Sequence, residues 1–153
     1  MPLGSIKVKG AVDLVYKLDA TADQIVHSTK LMRQIGNFMK TRILIRTAKG
    51  LDVRGKRFKA YSPSYKKIRE RAGLSTSIVD LFFTGSMLGS MKVAARKSRV
   101  DIYVSDTKDK KGVSNYLKSE YNQATRKFIG ISKKEAAQIN KILHSYMAGT
   151  IRK

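Results

Sequence analysis

Residues 91–104, MKVAARKSRVDIYV, alternate on both sides of a polar middle: Met91, Val93 and Ala95 take one face, and Val100, Ile102 and Val104 resume it after ARKSR. Period-two alternation marks half-buried strands, so the stretch predicts a hairpin. Helical periodicity stands on either side of it, which makes an α+β arrangement the expectation.

Moving outward toward the N-terminus, VDLFFTGSMLGSM (79–91) contains no Lys or Arg, although the chain carries 32. Ile78 to Phe83 is a short apolar run, and Thr84 is placed to cap a brief helix over residues 85–90. Residues 49–77 read as an extended basic loop arm, interrupted by Ser62-Pro63, where a Ser cap and Pro at the first helical position start a short helix to Ala72-Gly73. Further back, Thr21-Ala-Asp-Gln24 has a capping-box pattern. From there Ile25, Met32, Ile35, Met39 and Ile43 recur at helical spacing up to the stop signal Lys49-Gly50, predicting a long first helix. Residues 6–18, IKVKGAVDLVYKL, alternate again, with Gly10 as a bulge or bend, and predict one long or bent strand. The first five residues, MPLGS, resemble what tag processing leaves behind.

Toward the C-terminus, residues 106–115 form a charged loop, and Ser132-Lys-Lys-Glu135 is a capping box. It opens a helix that turns Ala136, Ile139, Ile142, Leu143, Tyr146 and Met147 inward and ends before Gly149, leaving 150–153 as a basic tail. The expected molecule is therefore a single domain over 6–149. It has a small antiparallel or mixed sheet, packed with a long N-terminal helix and a C-terminal helix, and carries the basic arm.

Composition bounds the function. The chain of 153 residues has 42% hydrophobic residues and no cysteine, which removes disulfides and thiolate metal sites. Its apolar runs span only a few residues, against about 20 for a membrane helix, so no membrane partner is expected. The formal net charge of +21 implies an acidic partner. Residues 40–71 hold 12 Lys/Arg against only Asp52 and Glu70, so the charge is concentrated on the arm.

Motifs for catalysis are weak. Gly85-Ser-Met-Leu-Gly89-Ser lacks the lysine that must reach the β- and γ-phosphates in a phosphate loop, and reads as a helix cap. His27 and His144 have no second ligand at helical spacing, so no metal or cofactor is expected. Asp80 with Asp106-Thr-Lys108 is similar to the spaced acids and lysine of Mg2+-dependent nucleases. Triplets of this kind arise readily in a lysine-rich chain, and no further Glu supports them. Phe58, Tyr61 and Tyr65, interleaved with cations, suit stacking on single-stranded nucleic acid, or pinning of the arm onto its own domain. No RNP, zinc-finger or GXXG pattern accompanies them.

Three spaced blocks carry a resemblance. They are Phe58-x-x-Tyr61-Ser62-x-x-Tyr65-x-x-x-Arg69, then Leu81-x-x-Thr84-Gly85-x-Met87-x-x-Ser90, then Arg126-x-Phe128-Ile129-Gly130. Over about residues 20–147 the chain resembles the tail-completion and virion-morphogenesis proteins of tailed bacteriophages, the neck family with Mu-like and HK97-like members. Met87 stands for the usual Leu and Lys127 for the usual Pro, and YLKSEYNQAT (116–125) replaces a Gly-containing segment. The resemblance implies a non-enzymatic virion component, assembled in the host cytoplasm: a tail-terminator or head-tail joining subunit of an oligomeric ring, hexameric by preference. Its partners would be connector or head-completion and tail-tube proteins, with genomic DNA in the lumen. On this reading subunit or partner contacts fall on Phe58, Tyr61, Tyr65, Val79, Phe82, Phe83, Thr84, Gly85, Met87, Arg126 and Phe128. The acidic partner or DNA would meet Arg54, Lys56, Arg57, Lys59, Lys66 and Lys67. A basic nucleic-acid-binding protein is the alternative, and the nuclease of Asp80, Asp106 and Lys108 the more distant one.

Overall fold

The computed structural model describes the backbone of residues 4–9, 13–18 and 27–151, and side chains from 27 to 149. In chain order the elements are β1 (Gly4–Lys9), β2 (Asp13–Leu18), α1 (Thr29–Ala48), α2 (Pro63–Arg71), α3 (Ser86–Gly89), β3 (Met91–Ala95), β4 (Arg99–Val104), α4 (Asn115–Thr125) and α5 (Lys133–Ile151). The fold is α+β, as the hairpin at 91–104 implied. The sheet is antiparallel throughout, in the order β1-β2-β4-β3.

Val100, Ile102 and Val104 of β4 are all buried, so the alternation read from the sequence is the core face of the sheet. Against it lies α1, whose buried positions Met32, Ile35, Met39 and Ile43 follow the 3.6-residue period. The crossing is close because Gly36 has no side chain. A Cβ there would stand 2.5 Å from both Val93 Cγ1 and Val100 Cγ2. α5 completes the core with Ile139 and Leu143.

The N-terminal segment differs from the expectation of one bent strand. β1 and β2 pair with each other, Ile6 opposite Tyr16, and β2 then pairs with β4, Tyr16 opposite Val100. Alternation has the same period in a bent strand and in a hairpin, and only the long-range partner separates the two. Gly10 lies outside the described residues. Gly4 and Ser5 belong to β1, opposite Leu18 and Lys17, so this part of MPLGS is built into the sheet.

The helix expected from Thr21 starts at Thr29. Ser28 caps it, accepting from the Leu31 N–H at 3.1 Å, and the Thr21 box and Ile25 lie outside the described residues. α5 runs past Gly149 to Ile151, and Tyr146, expected to face inward, is exposed. The short helix α3 is capped by Gly85, in the left-handed region at φ 78°, with Thr84 one residue too early. A Cβ on Gly85 would also meet the Phe82 ring at 2.8 Å. Finally, α4 occupies the YLKSEYNQAT region as a regular helix, capped by Ser114, whose hydroxyl accepts from the Leu117 N–H.

Candidate functional site

The arm is tied down at both ends of its run. Leu51 bridges Arg57 across a tight turn, in which Asp52 Oδ1 accepts from the Arg54 and Lys56 N–H groups at 2.8 Å each. Beyond the turn, Phe58 and Tyr61 are buried. Ser62 then caps α2 as the sequence indicated, its hydroxyl accepting from the Tyr65 N–H.

Arg69 is the centre of this layer, only 1% exposed. Its Nε donates to the Ser75 carbonyl at 2.9 Å, Nη1 to the Phe82 carbonyl at 2.5 Å, and Nη2 to Asp80 Oδ1 at 3.2 Å. The Tyr61 hydroxyl donates to the same Asp80 oxygen at 3.3 Å and accepts from the Leu81 N–H at 3.2 Å. The guanidinium groups of Arg69 and Arg126 both lie over the Tyr61 ring, at 4.7 and 5.4 Å. Burial raises the Tyr61 hydroxyl above the ordinary phenol value; Arg69 opposes the shift and Asp80 adds to it. Asp80 also accepts from the Phe82 N–H at 3.0 Å, which shapes the turn where Leu81 takes a positive φ of 56°.

A second buried knot joins the two long helices. Arg46 Nη1 donates to both Glu135 oxygens, at 2.9 and 2.8 Å, while Nη2 donates to the carbonyls of Phe128 and Gly130 at 2.9 Å each. Glu135 also closes the capping box of α5, accepting from the Ser132 N–H at 2.8 Å. Burial would raise the Glu135 carboxyl, but the Ser132 N–H and the Arg46 charge outweigh it and hold the group below the ordinary carboxylate value.

The three sequence blocks thus converge. Arg126 donates to the carbonyls of Lys59 and Ala60, clamping the third block onto the first. Arg69 clamps the first onto the 80–82 turn of the second. Several residues expected at subunit contacts are consequently core residues: Phe58, Tyr61, Val79, Met87 and Phe128 are buried within their own domain. Tyr65 is half-buried, packed edge-on against Tyr61 at 5.0 Å. Arg126 is partly covered; its Nε and Nη2 donate to the arm and its Nη1 to Asn122 and Thr125 of α4. What remains outside is Phe82, 47% exposed, Phe83, 37% exposed, and their neighbour Ile78, with Thr84 beside them. A second exposed apolar patch, Leu117 and Tyr121 at i and i+4 on α4 with Val113 in the loop just before the helix, was not read from the sequence.

The cations divide as well. Arg46 and Arg69, counted with the basic arm, are internal. Arg54, Lys56, Arg57 and Lys59 are exposed and line one side of a shallow cleft of about 250 Å3; Arg126 and Lys127 line the other. Lys66 and Lys67 stand on α2, outside the cleft.

The residues of the nuclease alternative stand on two separate segments, the 80–82 turn and the loop before α4. Asp80 is held by Arg69 and Tyr61, while Asp106 accepts from the Ser114 hydroxyl in the loop before α4. Lys108 lies in that loop, bridged to Ser114. Among the described residues, no group of three or more His, Cys, Asp or Glu is placed to hold a metal ion. Nor, among them, is any helix long and apolar enough to cross a membrane. No protein-family model, no curated protein and no solved structure matches the chain.

Proposed function

We propose that the chain is a structural subunit of a tailed-bacteriophage neck, a member of an oligomeric ring that completes the tail end or joins the tail to the head connector and lets DNA pass. The observation that supports this reading is the convergence of the three resembling blocks on one unit, which leaves Phe82 and Phe83 outside. Arg69 and Arg126 supply the hydrogen bonds that join the blocks.

A ring subunit needs a patch free of like charge where copies touch, because adjacent copies of a +21 chain repel. The 78–83 turn and the α4 row are two such patches, and contact between unlike patches is the head-to-tail geometry that closes into a ring. Phe83 is 37% exposed and its ring stands 6.2 Å from that of Tyr65, so Phe83→Asp should lower the melting temperature without unfolding the chain, while particles fail to join heads to tails. Joined particles at the wild-type level would remove the interface role. The reading as a whole is tested by immunogold labelling of purified particles: gold at the head-tail junction is expected, and unlabelled particles beside abundant protein in the lysate would overturn it.

A further inference from the structure

The cleft between the 52–59 turn and residues 124–127 makes no use of the neck reading and is argued from its own residues. Arg54, Lys56, Arg57 and Lys59 face it from the turn, and Lys127 from beyond α4. Among the described residues none of these five has an ion-pair partner, which holds for most of the described cations; these five differ in converging on one cleft. The one acid in the cleft, Asp52, turns an oxygen onto two backbone N–H groups of its own turn. Five uncompensated cations at one mouth repel each other, so the arrangement stores an affinity for anions.

The kind of anion follows from what the walls lack. Protein interfaces centre on exposed aromatic and aliphatic anchors. Here the only large apolar residue in the cleft is Phe58, which is buried, and the exposed apolar side chains lie elsewhere, on the 78–83 turn, α4 and other helix faces. Base stacking lacks a platform for the same reason, since Phe58 and Tyr61 are sealed inside. At about 250 Å3 the cleft is also smaller than the roughly 300–1,000 Å3 of sites that enclose a whole small ligand. It has room for part of a polymer, and arginine forks with lysines are the usual donors to phosphate oxygens.

We infer that this cleft grips the phosphodiester backbone of nucleic acid, without reading or stacking its bases. The test is fluorescence anisotropy of the full chain with a short labelled duplex of arbitrary sequence, titrated between about 50 and 200 mM salt. The comparison is between two triple variants with the same change in charge. Lys56→Glu, Arg57→Glu, Lys59→Glu removes cleft cations. Lys92→Glu, Arg96→Glu, Lys97→Glu removes exposed cations of β3 and the β3–β4 turn; the turn meets the start of α1, where the Ser28 N–H donates to the Lys97 carbonyl, whereas the cleft lies beyond the other end of that helix, which is about 30 Å long.

In wild type this cleft should contribute about −4.5 to the slope of log K against log salt, from the five cations other than Arg126, whose donors are taken up by the arm and α4. The cleft triple should flatten that slope by about 3, and the β3 triple by less than about 1. Equal loss from both triples would overturn the inference in favour of unspecific charge. Displacement of the duplex by polyglutamate as readily as by unlabelled duplex would overturn it in favour of an acidic protein surface. A Lys56→Gln, Arg57→Gln, Lys59→Gln triple, with no new acid beside Asp52, gives the same reading should the Glu triple melt early.

Discussion

Glu135 does three things with one carboxylate: it neutralises Arg46, fixes the carbonyl-binding fork of that arginine, and caps α5. Removing its charge leaves Arg46 buried without compensation, a loss of about 3–5 kcal/mol by precedent of broken buried pairs. Chemical denaturation of Glu135→Gln should show a loss of that size. The sign with pH follows from the lowered carboxyl. A group whose folded value lies below its unfolded value of about 4.3 stabilises above that value, and loses the contribution as pH falls through the folded one. Wild type should therefore weaken below about pH 4.3, and the variant should show a shallower decline in that window. Asp109, held at about 2 chiefly by its hydrogen bond from Lys118 and also by the Val113 and Lys111 N–H groups, continues the same trend to lower pH. The clue to Arg46 was available in the sequence: it extends the apolar row Met32, Ile35, Met39, Ile43, where a charge has to find a buried partner. The identity of that partner, 89 residues away, was not.

At the scale of elements, legibility followed the range of the interaction that defines each one. The stop of α1 at Lys49-Gly50, the Ser-Pro start of α2 and the capping box of α5 are contacts within four residues, and all were read correctly. The β1–β2 hairpin was not, because its signal is identical to that of a bent strand. α4 was missed because Leu117 and Tyr121 face outward and, of its large apolar side chains, only Tyr116 turns to the core, so no buried stripe announced it. The basic arm looked loose because Tyr61 and Arg69 are held by partners on the 80–82 turn, and the Lys59 carbonyl by Arg126, none of them local. One element contact is especially exposed to test. Gly36→Ala would force its methyl to 2.5 Å from Val93 and Val100, overpacking α1 on the β3–β4 hairpin. A cost of about 1–3 kcal/mol is expected, read as a fall in melting temperature of about 2–4 °C per kcal/mol. An unchanged or higher melting temperature would show that α1 slides freely on the sheet.

For the whole molecule, charge sets the terms. Eleven acids against 32 bases leave net self-repulsion that few internal pairs relieve. Sodium chloride shortens the screening length from about 10 Å at 0.1 M to about 3 Å at 1 M. The melting temperature should therefore rise by several degrees over that range, and a flat or falling curve would mean that ion pairs, not repulsion, dominate. The sheet order carries a consequence of another sort. Since β2 takes its second neighbour from β4, the first hairpin waits for roughly 85 further residues to be synthesised before it can be completed. At about 5–20 residues per second that is roughly 4 to 17 s on the ribosome. A two-stranded hairpin is marginal alone, so for those seconds the nascent chain offers an open backbone edge to whatever passes, and the safest time for this protein begins only after Val104 has emerged.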